Sequence, residues 1–186
     1  SKLIGHKSLF SDFIYLDQIQ KLPNKILLNG SKGIGKKLFV NHFINYLYSK
    51  SYDQTYDLKN NEFKLSNNLF KLLSTNTHPN VFKIYKKKDK KIIDIDQIRE
   101  MIKFTNQTSF NNDRRFVVIE NVSLLGINSA NALLKSIEEP NNKIHFILIN
   151  NSEFKVLETI KSRCLEFKLN LHKSSHTHSP YAFCVS

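Results

Sequence analysis

The chain has 186 residues, of which 40% are hydrophobic and 24% charged, and its net charge is +12. This composition suits one globular domain that buries a core. The chain has neither an apolar run long enough to cross a bilayer nor an N-terminal secretory signal. Its two cysteines, Cys164 and Cys184, support neither a disulfide framework nor a cysteine-rich zinc site, so we expect a cytoplasmic location.

The basic charge favours contact with nucleic acid or another polyanion. An overall bias towards lysine and asparagine is the competing explanation. The run "KKKDKK" (86–91) is interpreted as a solvated loop, with DNA contact through its lysines as the alternative: Lys86, Lys87, Lys88, Lys90 and Lys91. Only four arginines are present, and we expect them where a fixed fork of donors is needed: Arg99, Arg114, Arg115 and Arg163.

Apolar periodicity and breakers predict alternating helices and strands. In chain order they are a helix over 6–22, a strand over 25–29, a helix over 36–50, weak helical character around 67–73, a strand over 80–86, a helix over 93–107, a strand over 114–121, a helix over 128–140 that stops at Pro140, a strand over 143–150, a short helix or turn over 153–164 and a strand over 165–170. This order predicts an α/β fold whose parallel β-sheet is flanked by helices on both faces.

The stretch "NGSKGIGKK" lies between a predicted strand and a predicted helix and nearly matches the phosphate-loop pattern G-x-x-x-x-G-K-[ST]. We assign the loop to Gly30, Ser31, Lys32, Gly33, Ile34, Gly35, Lys36 and Lys37. Backbone N–H groups and the helix N-terminus would hold phosphate, and Lys36 would reach the outer phosphates. Lys37 stands where a hydroxyl should hold magnesium. We therefore expect ATP binding to be weak or vestigial, and Mg²⁺ binding stays open.

The strand "FVVIEN" ends with Glu120 and Asn121, where a hydrolysing phosphate-loop ATPase usually has two acids. Glu120 can approach a metal, but the Asn121 amide cannot accept a proton from water. We therefore expect no hydrolysis at this chain's own site. Asn150 and Asn151 end a third strand, either near a bound γ-phosphate or simply as turn formers. Without further information, Arg163 is interpreted as part of a structural ion pair.

Four stretches resemble the bacterial clamp-loader subunits of DNA polymerase III, within the AAA+ ATPases. They are "LIGHKSLF", "LLNGSKGIGKKLF", "RRFVVIENVSLLGINSANALLKSIEEPNNKIHFILINNSE" and "TIKSRCLEF". The resemblance covers about residues 3–170 and is closer to delta-prime subunits than to gamma/tau subunits. It implies an AAA+ P-loop nucleotide-binding core over 1–170.

The same resemblance implies a stator-type subunit with a degenerate nucleotide site. Its partners would be gamma/tau and delta subunits, the sliding clamp and, through the assembled loader, primed DNA. Arg163 matches the arginine finger that acts on the ATP of a neighbouring subunit, and Asn150 matches the sensor position. The alternatives are an active ATPase of the same family, a truncated fragment without function and a DNA-binding module in its own right.

The sequence also departs from the family pattern. The cysteine cluster that binds zinc in many loader subunits is absent, so no zinc is predicted. The helical lid and collar domains are expected to be absent, which puts stable assembly in doubt. We expect residues 171–186 to form a poorly ordered tail. Metal binding there is not predicted, because the spacing of the candidate ligands is irregular: His172, His176, His178 and Cys184.

Overall fold

The computed structural model describes residues 2–49, 56–62, 68–109, 113–138 and 143–170. The strands in these ranges are Lys25–Gly30 (β1), Val81–Ile84 (β2), Arg115–Glu120 (β3), Ile144–Asn151 (β4) and Leu165–Leu169 (β5). The helices are Lys7–Gln18 (α1), Lys36–Ser49 (α2), Asn68–Ser74 (α3), Ile95–Asn106 (α4), Ile127–Glu138 (α5) and Glu158–Lys161 (α6), with a 3-10 turn at Val122–Leu124.

The five strands form one parallel sheet in the order β2-β3-β4-β1-β5. β1 therefore lies inside the sheet, between β4 and β5, and its backbone is paired along both sides. All carboxyl ends face the same edge, which is where ligands bind in open α/β sheets. The predicted phosphate-loop α/β architecture is confirmed.

Alternate residues of the strands enter two separate hydrophobic clusters. On one face Leu28 and Phe167 pack with residues of α1, α2 and α3, while on the other Leu27 packs with residues of α4, α5 and α6. Because both faces of the sheet are buried, the inner strands β1, β3 and β4 contain continuous apolar runs, whereas the edge strand β5 alternates apolar and polar residues. The sheet is thereby fixed as the rigid support of the loops at its carboxyl edge.

The end of the first helix was predicted wrongly. The helix predicted over 6–22 ends at Gln18, and Gln20 then adopts a left-handed backbone with φ 58°. The predicted helix or turn over 153–164 contains only the short helix α6. The helix predicted up to Pro140 is described as far as Glu138.

The predicted tail at 171–186 and its histidines lie outside the described residues, as do parts of 51–77. None of the described helices combines the length and the apolar character that a membrane span requires.

Candidate functional site

The phosphate loop leaves the sheet at the carboxyl end of β1, and α2 begins at Lys36. Gly33 and Gly35 adopt positive φ values of 80° and 96°, which glycine reaches without strain. Gly30 is required for another reason, because a Cβ at this position would lie 2.6 Å from the carbonyl oxygen of Leu169 in β5. The strand–loop–helix context predicted from the sequence is therefore present, and each of these glycines has a structural reason.

Lys36 is 5% exposed and bends back over the loop. Its Nζ donates hydrogen bonds to the carbonyl oxygens of Gly30 and Ser31, both at 2.7 Å. Burial lowers the pKa of Lys36, and the charge of Glu153 acts in the opposite direction. A phosphate group entering the loop would accept bonds from Lys36 in place of these two carbonyl oxygens.

Lys37 forms an ion pair with Glu120, with 2.8 Å between Nζ and Oε1. The Lys37 side chain is 63% exposed, whereas Glu120 is 17% exposed at the end of β3. Lys37, which occupies the position of the usual serine or threonine, is thus paired with Glu120, the acid expected to approach a metal. An ammonium group has no lone pair to offer a cation, so this donor set does not fit Mg²⁺.

Lys83 in β2 lies in the electrostatic field of the same pair. Its Nζ donates to Asn41 Oδ1 at 3.1 Å and to the carbonyl oxygen of Leu73 at 2.5 Å. Burial lowers the pKa of Lys83 to about 8, the charge of Lys37 lowers it further, and Glu120 opposes the shift. Lys83 was not predicted as a site residue, because nothing local to β2 indicates an electrostatic interaction with Lys37 and Glu120.

Asn121 and Asn151 are joined by a hydrogen bond from Asn151 Nδ2 to Asn121 Oδ1 at 2.9 Å. Asn121 adopts a left-handed backbone with φ 55°, a conformation that asparagine tolerates well. Its amide stands at the end of β3 where a second acid was expected, and its oxygen already accepts this bond. The pair can position a polar ligand but cannot remove a proton from water.

Asn150 is buried, with 1% exposure, directly beside Asn151. Its Nδ2 donates to the carbonyl oxygens of Asn151 and Phe154, both at 2.9 Å, and lies 3.3 Å from Asn29 Oδ1. Its Oδ1 has no hydrogen-bond partner among the described residues. Asn29 in turn donates to Glu166 Oε1 at 3.0 Å, a contact that the sequence did not indicate.

An open cleft brings together part of the predicted set. It is lined by Gly33, Gly35, Lys36, Lys37, Glu120, Asn121, Ile149 and Asn151. Ser31 and Lys32 are exposed on the loop outside this lining. A further contact missed from the sequence is His6, whose Nε2 lies 2.9 Å from the carbonyl oxygen of Ile34 and fastens the start of α1 to the loop.

Arg163 lies far from this cleft along the strand direction. It lies two residues before Leu165, the first residue of β5, and Leu165 pairs with Ile26 at the start of β1, whereas the loop follows the end of β1. The Arg163 guanidinium donates to Glu138 Oε1 at 2.8 and 3.1 Å and to the carbonyl oxygen of Thr159 at 2.9 Å. It is therefore at the opposite edge of the sheet from Lys36, in a surface ion pair.

Two remaining expectations concern lysines and metals. The run 86–91 is a turn-containing loop, as predicted, and its lysines are mostly exposed. Among the residues that the structure describes, no group of three or more histidine, cysteine or acidic residues could hold a metal ion.

The chain is similar in sequence to known proteins. A family model described as "DNA polymerase III, delta subunit" matches residues 5–173. The delta' subunit of DNA polymerase III from Pseudomonas aeruginosa is 34% identical over 140 residues, covering 75% of this chain and 41% of that protein. The gamma subunit from Buchnera aphidicola subsp. Schizaphis graminum is 40% identical over 77 residues, covering 41% of this chain and 21% of that protein.

Similarity extends to solved structures. A DNA polymerase III gamma subunit-related protein from Thermotoga maritima superposes with a TM-score of 0.58 at 23% identity. The superposition covers 87% of this chain and 46% of that one, and it supports the fold alone. The chain spans less than half the length of each of these relatives.

Proposed function

The chain belongs to the DNA polymerase III delta subunit family, and from this premise we propose that it serves as a stator-type clamp-loader subunit. It has no ATP hydrolysis of its own, and Arg163 acts on the nucleotide of a neighbouring subunit. The family resemblance and the AAA+ fold predicted from the sequence are confirmed. What we propose beyond the family is that the phosphate loop of this chain does not hydrolyse ATP and that Arg163 acts on a neighbour's nucleotide.

The ion pair between Lys37 and Glu120 is the observation that carries the first half of the proposal. Hydrolysis in this class needs a metal between the β- and γ-phosphates and a group that orients or deprotonates water. Here Glu120, the acid expected to approach the metal, is paired with the ammonium group of Lys37. The Asn121 amide stands where the base that deprotonates water is expected. Loss of both functions at one site supports a subunit that does not turn over ATP.

Nucleotide binding is a separate step, and we propose that it is retained weakly. The glycine backbone, the N-terminus of α2 and Lys36 are all in place to receive phosphate. Asn150 Oδ1, buried and without a partner among the described residues, is an acceptor that a bound ligand or water could satisfy. Asn150 does not itself line the cleft, so its sensor role is proposed from the family resemblance and from its position next to Asn151, which does.

The position of Arg163 supports action on a neighbour. Leu165 is level with Ile26, and the loop begins after Gly30, so the two sites are separated by about 13 Å of strand. The pair with Glu138 is exposed, and such pairs contribute only about 0–1 kcal/mol. A triphosphate on an adjacent subunit could therefore replace Glu138 as the partner of the guanidinium.

The remaining assignments follow from the family. The proposed partners are gamma/tau and delta subunits, the sliding clamp and primed DNA held by the assembled loader. The place of action is the cytoplasm, where these partners work.

Phosphate release by the purified chain tests the absence of hydrolysis. We expect no turnover above the buffer rate with ATP and Mg²⁺. The control is Lys36→Ala, which removes the phosphate-binding ammonium. Turnover in the unmodified chain that disappears in this variant would establish an active ATPase and overturn the proposal.

A further inference from the structure

We propose that the phosphate loop binds polyphosphate in its metal-free form, with the Lys37 ammonium taking the place of Mg²⁺. The inference rests on the proposed non-hydrolysing site and specifies its ligand. The ligand is a nucleoside triphosphate without a bound divalent cation.

Mg²⁺ and the Lys37 ammonium would compete for the Glu120 carboxylate. Mg²⁺ binds oxygen ligands at about 2.0–2.1 Å and requires near-octahedral oxygen coordination. Glu120 Oε1 is already bonded to Lys37 Nζ at 2.8 Å. A metal at this carboxylate would meet a positive charge where it needs an oxygen ligand, so Lys37 both removes a ligand and repels the ion.

The cleft carries a net positive charge. Its lining contains two lysines, Lys36 and Lys37, and one acid, Glu120. The next charges outwards offset one another, since Lys83 interacts with Lys37 and Glu153 interacts with Lys36. The net positive charge of the lining favours the most highly charged form of a triphosphate, which is the form that carries no Mg²⁺.

The exposed Lys37 side chain can reach a ligand in the cleft. Its side chain is 63% exposed and has a flexible four-carbon stem. Lys36 is buried against the loop carbonyls and supplies the fixed ammonium. Lys37 can move between Glu120 and a phosphate oxygen, so that the chain itself provides the counter-charge that a metal supplies in hydrolysing sites.

The test is a titration of the full chain with ATP carrying a fluorophore on its ribose, followed by anisotropy. It is run once with EDTA and once with Mg²⁺ at matched ionic strength. We expect the unmodified chain to bind as tightly or more tightly in EDTA. Unlabelled tripolyphosphate should displace the probe, because the phosphates are what the loop recognises.

Two substitutions at Lys37 give the matched comparison. Lys37→Ser restores the hydroxyl, and we expect its binding to become about tenfold tighter in Mg²⁺ than in EDTA. Lys37→Met keeps the stem and removes the charge, and we expect it to weaken binding in EDTA by about tenfold. Because the side chain is largely exposed, both variants should keep the thermal unfolding midpoint of the parent chain.

Three outcomes would overturn the inference: binding that requires Mg²⁺, no binding in either buffer, or unchanged affinity of Lys37→Met in EDTA. Phosphate release measured in parallel distinguishes failure of this inference from failure of the proposed function. Mg²⁺-dependent binding without turnover would remove only the present inference. Mg²⁺-dependent binding with turnover would remove both.

Discussion

At the scale of single residues, the arginines show what a sequence can and cannot assign. Arg115 is 3% exposed, donates to the carbonyl oxygens of Phe104 and Gln107, and lies 3.8 Å from the centre of the Phe104 ring. The planar guanidinium donates to two acceptors at once, which a lysine ammonium cannot do in this geometry. This agrees with the expectation that the few arginines occupy positions where a fixed fork of donors is needed. Arg99, by contrast, makes only an exposed pair with Asp96. The sequence could not separate the two, because the acceptors of Arg115 are backbone groups.

Arg115→Lys should lower the free energy of unfolding by about 2 kcal/mol, since a single ammonium cannot serve both carbonyl groups at the end of α4. Urea denaturation followed by circular dichroism measures the change. Arg99→Lys in α4, the helix whose end accepts the Arg115 hydrogen bonds, is the matched control and should cost less than about 0.5 kcal/mol. Equal effects of the two substitutions would contradict the role assigned to Arg115.

The candidate site was only partly predictable for the same reason. The loop pattern located Lys36 and Lys37, and the strand end located Glu120, because each follows a local signal. The hydrogen bonds of Asn29 to Glu166 and of His6 to Ile34 depend on which elements become neighbours. No local pattern contains that information.

At the scale of elements, β1 was located accurately, whereas the end of α1 was misplaced and the strand predicted over 80–86 is only Val81–Ile84. β1 was predicted over 25–29 and spans Lys25–Gly30, since a buried strand is a bounded apolar run. The end of α1 was misplaced because apolar residues continue past Gln18, and Leu22 still packs against the core without being helical. Periodicity thus identifies burial and does not by itself identify where a helix stops.

Gly30→Ala is the sharpest prediction for an element. Its Cβ would lie 2.6 Å from the carbonyl oxygen of Leu169, so β1 and β5 must separate. We expect the free energy of unfolding to fall by about 2 kcal/mol or more. Gly126→Ala is the control, because its Cβ would meet the terminal methyl of Ile92, which can move aside. Thermal unfolding of both variants would contradict this account if the Gly126 variant were the less stable.

At the scale of the whole molecule, α/β alternation predicted a parallel sheet covered on both faces. It did not provide the order β2-β3-β4-β1-β5, which sets β1 beside β4 and β5 and brings the ends of β1 and β3 to one cleft. The same packing buries histidines. Burial lowers the pKa of both His42 and His78 to about 4 from an ordinary 6.5.

These histidines should make folding sensitive to acid. Between about pH 6.5 and 4 the unfolded chain takes up protons that the folded chain does not, so the free energy of unfolding falls as the pH falls. A shift of this size corresponds to about 3 kcal/mol for each imidazole. Urea denaturation across this range measures the slope.

His78→Asn isolates one contribution to this slope. The backbone N–H of Asn80 donates to His78 Nδ1 at 3.2 Å, and an asparagine oxygen can still accept such a bond without titrating. The variant should therefore lose less stability than the parent chain between pH 6.5 and 4. Identical slopes would show that His78 does not resist protonation.

The central claim is that Arg163 acts on the nucleotide of a neighbouring subunit. The measurement that tests it most directly is ATP turnover by gamma subunits together with delta, clamp and primed DNA. Three additions are compared: none, this chain, and this chain with Arg163→Ala. Loss of one arginine finger typically lowers the rate about 10³-fold or more at the affected site. The account predicts stimulation by the unmodified chain and none by the variant. Equal turnover with the chain and with Arg163→Ala would contradict it.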